Sequence, residues 1–184
     1  MTNTDKKWKL VQSKPAFESK WLSIKENDYL LPNGKDAKGY FHLSRPNYVI
    51  IIAMDKDKNI VLENSYRRGV DDFVYELPAG WIEPGETPQQ AAKRELLEET
   101  GYSAEVEILG EIYPQPSFSS MLAYVALAKI DSSQKVIQNL EDDEDIQCEF
   151  ISLEQIKQMI SKNEIKDMGT LAAIQVAEAR RLLS

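Results

Sequence analysis

Residues 80–102, GWIEPGETPQQAAKRELLEETGY, constrain this chain more tightly than any other stretch. Their second half carries the signals for both ends of a helix. Thr87 is an N-cap residue, Pro88 suits the first helical position, and Gln90, three residues after Thr87, completes a capping box. Gly101 supplies the stop. On that helix Glu95, Glu98 and Glu99 stand at i, i+3 and i+4, so their side chains share one arc of roughly 100°. Like charges at that spacing repel, and the remedies are a nearby Lys or Arg, or a bound divalent ion that prefers oxygen ligands. The helical wheel sends Lys93 and Arg94 off the arc, which leaves metal binding open. A solvated surface is the commoner use of a Glu-rich face, so the pattern alone leaves both readings standing.

Two neighbouring patterns are near misses. Gly80, Gly85 and Thr87 have the spacing of a phosphate-cradling loop, but Glu86 stands where that loop needs Lys, and an acid there repels phosphate. Residues 55–59, DKDKN, begin like a calcium loop, yet Ile60 replaces its glycine and Tyr66 its closing glutamate. That segment is expected to be a hairpin turn.

The rest of the chain predicts strands with few helices. Residues 21–31 read as extended, Asn33-Gly34 after Pro32 as a turn, and residues 39–43 as the return strand. The β-branched run 48–54 and residues 59–63 are expected to form a buried hairpin. Further strands are expected over 105–113, 122–129 and 146–151, and helices over 153–161 and 167–183. Strands interleaved with a few helices, and no regular strand-helix alternation, indicate a mixed α/β fold of sandwich type.

Charge and cysteine content narrow the function classes. With 30 acidic against 22 basic residues, the net charge is −8, which argues against broad attraction to nucleic acid or anionic lipid. A phosphate compound bound here needs cations brought to it. The single cysteine, Cys148, forms no internal disulfide and is expected as a small buried thiol. With no signal-peptide core near the N-terminus and no apolar run long enough to span a bilayer, the chain reads as cytoplasmic. One histidine, His42, excludes most zinc sites.

The full pattern is Gly80, five residues, Glu86, seven residues, then Arg94-Glu95-Leu96-x-Glu98-Glu99-x-Gly101, and it resembles the complete Nudix box of the Nudix hydrolases. Tyr102 departs from the aliphatic residue preferred after that glycine. The likeness extends to Ser65-Tyr66-Arg67, to Tyr75-Glu76-Leu77-Pro78-Ala79-Gly80, to the Pro-containing loop 113–119, and to a tail Glu164-Ile165-x-Asp167-x-x-Thr170. Together these are similar to the ADP-ribose and nucleoside diphosphate sugar pyrophosphatase branch. One departure concerns the substrate loop, residues 116–121, PSFSSM, which lacks the Pro-Gly pair and following glutamate of many members.

The resemblance implies a Nudix-type α/β/α sandwich with a mixed sheet and an N-terminal antiparallel β-hairpin region. It divides the chain into residues 1–45, for dimerisation and base binding, and a hydrolase domain over 46–184. It implies Mg²⁺, with Mn²⁺ as the alternative, on Glu95, Glu98, Glu99 and the carbonyl of Ala79. Arg94 orients the glutamates and Glu86 supports the start of the helix. Arg67 contacts the diphosphate, beside Glu76. The base comes from the acidic run 141–145, with Glu144 first and Asp142 second; without the resemblance that run reads as an exposed charged loop. Trp21 is the candidate for stacking on the base, with Tyr40 or Phe41 opposite, and Phe118 offers an apolar wall; all three hairpin aromatics could equally be core.

The implied activity is Mg²⁺-dependent hydrolysis of ADP-ribose or another nucleoside diphosphate sugar by a homodimer without nucleic-acid or membrane partners. A sister activity on nucleoside triphosphates or dinucleoside polyphosphates, and a non-catalytic nucleotide-sugar sensor, are the alternatives.

Overall fold

The computed structural model describes residues 6–140 and 145–183, which pack as two units, one of residues 6–46 and 115–121 and the other of 47–114, 122–140 and 145–183. In the first, β1 (Lys9–Glu18), β2 (Ser23–Leu30) and β3 (Asp36–Ser44) form an antiparallel sheet in the order β1-β2-β3. The β2–β3 turn is the expected one, with Gly34 in the left-handed region at φ 80°. β1 was not expected; Pro15 interrupts its sequence, and every residue along it is exposed. Trp8, Tyr29 and Tyr40 meet edge to face, with ring centroids 5.4 to 6.1 Å apart.

The second unit holds β4 (Tyr48–Met54), β5 (Asn59–Arg67), β6 (Asp72–Glu76), β7 (Ala79–Trp81), α1 (Pro88–Thr100), β8 (Val106–Ile112), β9 (Ala123–Lys129), β10 (Ile146–Ser152), α2 (Leu153–Ser161) and α3 (Met168–Ala179). The sheet order is β10-β5-β4-β9-β8, with β6 on β5 and β7 on β4. β4 and β9 run parallel, and the other pairs are antiparallel. β4 is apolar throughout because both faces are covered. Ile50, Ile52 and Met54 pack with α2 and α3, whereas Val49, Ile51 and Ala53 pack with Ala91, Ala92 and Leu96 of α1. The result is an α/β/α sandwich with a mixed sheet. Among the described residues no helix is long and apolar enough to cross a membrane.

The β4–β5 hairpin differs from expectation. The two strands pair only next to the turn, at Met54 and Ile60, and then diverge. β6 fills the gap from the β5 side and β7 from the β4 side, while the Pro78 carbonyl accepts from Ile51 N at 2.8 Å. This wedge sets Ala79 and Gly80 against α1.

Candidate active site

α1 is fixed at both ends by the chemistry its sequence announces. Thr87 has extended backbone and accepts from Gln90 N, the Gln90 side chain returns the bond, and Gly101 closes the helix at φ 74°. The small residues Ala91 and Ala92 let the helix lie close to the sheet, and the same buried side carries Glu99, which is 3 % exposed. Its carboxylate accepts from Ala79 N at 3.0 Å. Glu95 lies directly over Gly80, where a Cβ would occupy the space of the Glu95 carboxylate.

Arg94 does not point off the arc, as the helical wheel had it. Its Nε and Nη2 donate to the two oxygens of Glu86, each at 2.9 Å. Nη2 also reaches the Trp81 carbonyl at 2.9 Å, and Nη1 donates to Glu95 at 2.8 Å and to Glu98 at 3.1 Å. The wheel places Cα positions, and the long stem of arginine carries its fork back over the neighbouring turn. Hydrogen bonding to Glu86, more than offsetting burial, together with the charge of Glu95 and hydrogen bonds to Glu95 and Glu98, pushes the guanidinium pKa far up. The same bond holds Glu86 below the ordinary carboxylate range. Lys93 does leave the arc, pairing with Glu105 at 2.7 Å.

Arg67, at the end of β5, donates through Nε to Glu76 at 2.5 Å, and Ser65 Oγ donates to the same oxygen at 3.0 Å. Burial pushes the Glu76 carboxyl up, and Arg67 offsets part of that rise. Glu99 and Glu63 add negative charge around the Arg67 guanidinium. A cleft of about 520 Å³ opens beside this pair, between β6 and residues 164–168.

Two features escaped the sequence reading. Glu63, fully buried at 0 %, sits across from Glu76 on β6 and Cys148 on β10. Thr170 Oγ1 accepts from Leu77 N at 2.9 Å, which ties the tail to the wedge, and Asp167 caps α3 by accepting from Thr170 N at 2.6 Å. The motif Asp167-x-x-Thr170 carried that signal as an N-cap pattern. Cys148 is half-buried, with its thiol pushed up to about 12 by burial and by Glu63, so it is no nucleophile at neutral pH.

Arg94, Glu95, Glu98, Glu99, Ala79, Arg67 and Glu76 thus belong to one unit around the α1–β7 contact. Trp21 and Phe118 belong to the other, where Trp21, Tyr40, Phe41 and Phe118 are all exposed, so none is core. Glu144 and Asp142 lie outside the described residues.

A hard divalent ion suits this donor set, which is all carboxylate oxygen, and the space over Gly80 seats one of those carboxylates. Among the described residues no three acidic, His or Cys side chains are already drawn into a cage. In this arrangement Arg94 holds Glu95 and Glu98, and the Ala79 amide holds Glu99.

The sequence model of the NUDIX domain matches residues 44–170. An ADP-ribose pyrophosphatase of Bacillus subtilis (strain 168) is 30% identical over 176 residues, 95% of each chain. A methanol dehydrogenase activator of Bacillus methanolicus matches to the same extent, 30% over 176 residues. An ADP-ribose pyrophosphatase of Saccharomyces cerevisiae is 30% identical over 156 residues, covering 76% of this chain and 68% of the yeast protein. Among solved structures, an ADP compounds hydrolase superposes with a TM-score of 0.82 at 21% identity, covering 96% of this chain and 94% of the other. That likeness concerns the fold.

Proposed function

The chain belongs to the Nudix hydrolase family, and on that footing we propose that it hydrolyses the diphosphate bond of ADP-ribose or another nucleoside diphosphate sugar, releasing a nucleoside monophosphate and a sugar phosphate. The observation that supports it most is the arginine-braced carboxylate face, with Glu95 seated over Gly80 and Glu99 on the Ala79 amide.

Glu95, Glu98, Glu99 and the Ala79 carbonyl hold Mg²⁺ or Mn²⁺. When bound, such ions neutralise phosphoryl charge and make water a better nucleophile. Arg94 keeps the glutamates from repelling one another apart, and Glu86 anchors Arg94. Arg67 presents its fork to the diphosphate, in a geometry lysine cannot copy, and Glu76 fixes the direction of that fork. Glu144 takes the proton of the attacking water through its carboxylate, with Asp142 as the second choice. Trp21 stacks on the base and Phe118 supplies an apolar wall. The enzyme works as a cytoplasmic homodimer, with residues 1–45 serving dimerisation and base binding.

A substrate panel with Mg²⁺, scored for monophosphate release, tests this reading. ADP-ribose or a related diphosphate sugar is expected to turn over fastest. Faster turnover of triphosphates or dinucleoside polyphosphates would transfer the assignment to those substrates, and binding without turnover would make the protein a sensor.

A further inference from the structure

We propose that Gln138 is a positioning residue for the carboxylate face of α1, acting through the main chain of the helix's last turn; this rests on the divalent-ion assignment made above. Gln138 lies on the segment between β9 and β10, and its side-chain amide donates to the carbonyl of Glu99.

The last carbonyls of a helix find no donor within it and must be satisfied from outside. The chain leaving α1 provides little of this. Gly101 N takes the Leu97 carbonyl at 2.9 Å, and the next amide, that of Tyr102, turns to Thr100 Oγ1 at 3.2 Å. The carbonyls of Glu98 and Glu99 are met by a strap from far along the chain. Asn139 N donates to Glu98 O at 2.9 Å, Gln138 Nε2 donates to Glu99 O, and Val136 N donates to Gly101 O at 2.9 Å. Two of these bonds end on the backbone of residues whose side chains are assigned to the ion.

The strap has little apolar burial to hold it. Between 135 and 139 only Gln138 is half-buried, while Val136 and Ile137 are 55% and 93% exposed. Gln138 Nε2 also comes within 3.5 Å of Ile146 O and of Cys148 Sγ on β10, which joins the end of α1 to the sheet. The Cys148 thiol donates to the same Glu99 carbonyl at 3.5 Å, but a thiol is a weak donor and no substitute for an amide. Glu99 is therefore braced twice, its carbonyl by Gln138 and its carboxylate by the Ala79 amide. A ligand held in this way needs no ordering when the ion arrives.

The test is calorimetric titration of chelator-treated protein with Mn²⁺, without substrate, on the wild type, Gln138→Met, Gln138→Lys and Thr87→Ala. Methionine keeps the length and loses the donor; lysine keeps a donor and suits a helix C-terminus. Thr87→Ala weakens α1 from its opposite end and controls for a general loosening of the helix. Removing a group that orients a metal ligand costs about 10- to 100-fold, and Gln138 acts one step further back, so Gln138→Met is expected to bind Mn²⁺ about three- to tenfold more weakly. Wild-type affinity is expected in Thr87→Ala and near-wild-type affinity in Gln138→Lys, with melting curves verifying that each variant is folded. Should Gln138→Met fail to fold, Gln138→Asn, whose amide stops one carbon short, takes its place with the same expectation. Unchanged affinity in the donor-deleted variant would overturn the proposal, and so would an equal loss in Thr87→Ala or no recovery in Gln138→Lys. Absence of Mn²⁺ binding by the wild type is a different result, since it would remove the divalent-ion assignment itself and this proposal with it.

Discussion

Gly80 shows how much one missing carbon does at this site. Its backbone is of a kind any residue adopts, and what requires glycine is the Glu95 carboxylate lying on its Cα. In Gly80→Ala the group that must move is the far end of a flexible side chain, so the fold loses little, about 1 kcal/mol or less. The carboxylate loses its seat, and displacing a supporting or ligating group in a metal site costs about 10- to 100-fold. The expected result is therefore a kcat down by that factor with a melting temperature within a few degrees of wild type. A variant of near-normal rate would mean that the Glu95 position is immaterial. Glycine at 80 and glutamate at 95 were both legible as parts of one motif, but their contact was not. Spacing along a helix fixes which Cα atoms share a face and says nothing of the χ angles that bring Arg94 back over Glu95 and Glu98.

The elements were legible where local chemistry decides them. The capping box of α1 is closed within four residues of sequence, so Thr87 announces its helix without reference to the rest of the fold. The divergence of β4 and β5 was illegible because it depends on a wedge from 72–81, whose short strands β6 and β7 carry no periodic signal of their own. The two ends of α1 differ in how deeply they are built in. Thr87→Ala removes one exposed cap and is expected to cost about 1 kcal/mol. Gly101→Ala forces a side chain into the left-handed region, about 1–2 kcal/mol, and sets its Cβ against the Val136 carbonyl, where overpacking adds about 1–3 kcal/mol. Chemical denaturation is expected to rank Gly101→Ala well below Thr87→Ala in stability. Because Glu98 and Glu99 lie in the last turn, Gly101→Ala also lowers activity. Equal stabilities would mean that the residue 101–136 contact carries no weight.

On the scale of the molecule, the net charge of −8 would meet, under the proposed function, a substrate that is itself an anion. Under that proposal bulk electrostatics oppose binding, and attraction would have to be local: Arg67 on one side and ions gathered by the glutamate face on the other. Such ions would bind a folded surface that the unfolded chain lacks, and so would stabilise the fold by mass action. At a hundredfold excess over Kd the gain is about 2.7 kcal/mol, which for a chain of this size raises the melting temperature by about 5–10 °C. Mg²⁺ or Mn²⁺ added to chelator-treated protein is expected to give that shift, and renewed chelation to reverse it. NaCl at matched ionic strength separates site binding from screening of the acidic surface, since screening does not distinguish one cation from another. Glu98→Gln provides the second control. Its side chain is 34% exposed and meets Arg94 at the edge of the network, so the fold tolerates the change while one ligand oxygen becomes neutral. The ion-dependent shift is expected to fall to half or less in that variant; a shift of unchanged size would place the ion away from α1 and detach the carboxylate face from the chemistry assigned to it.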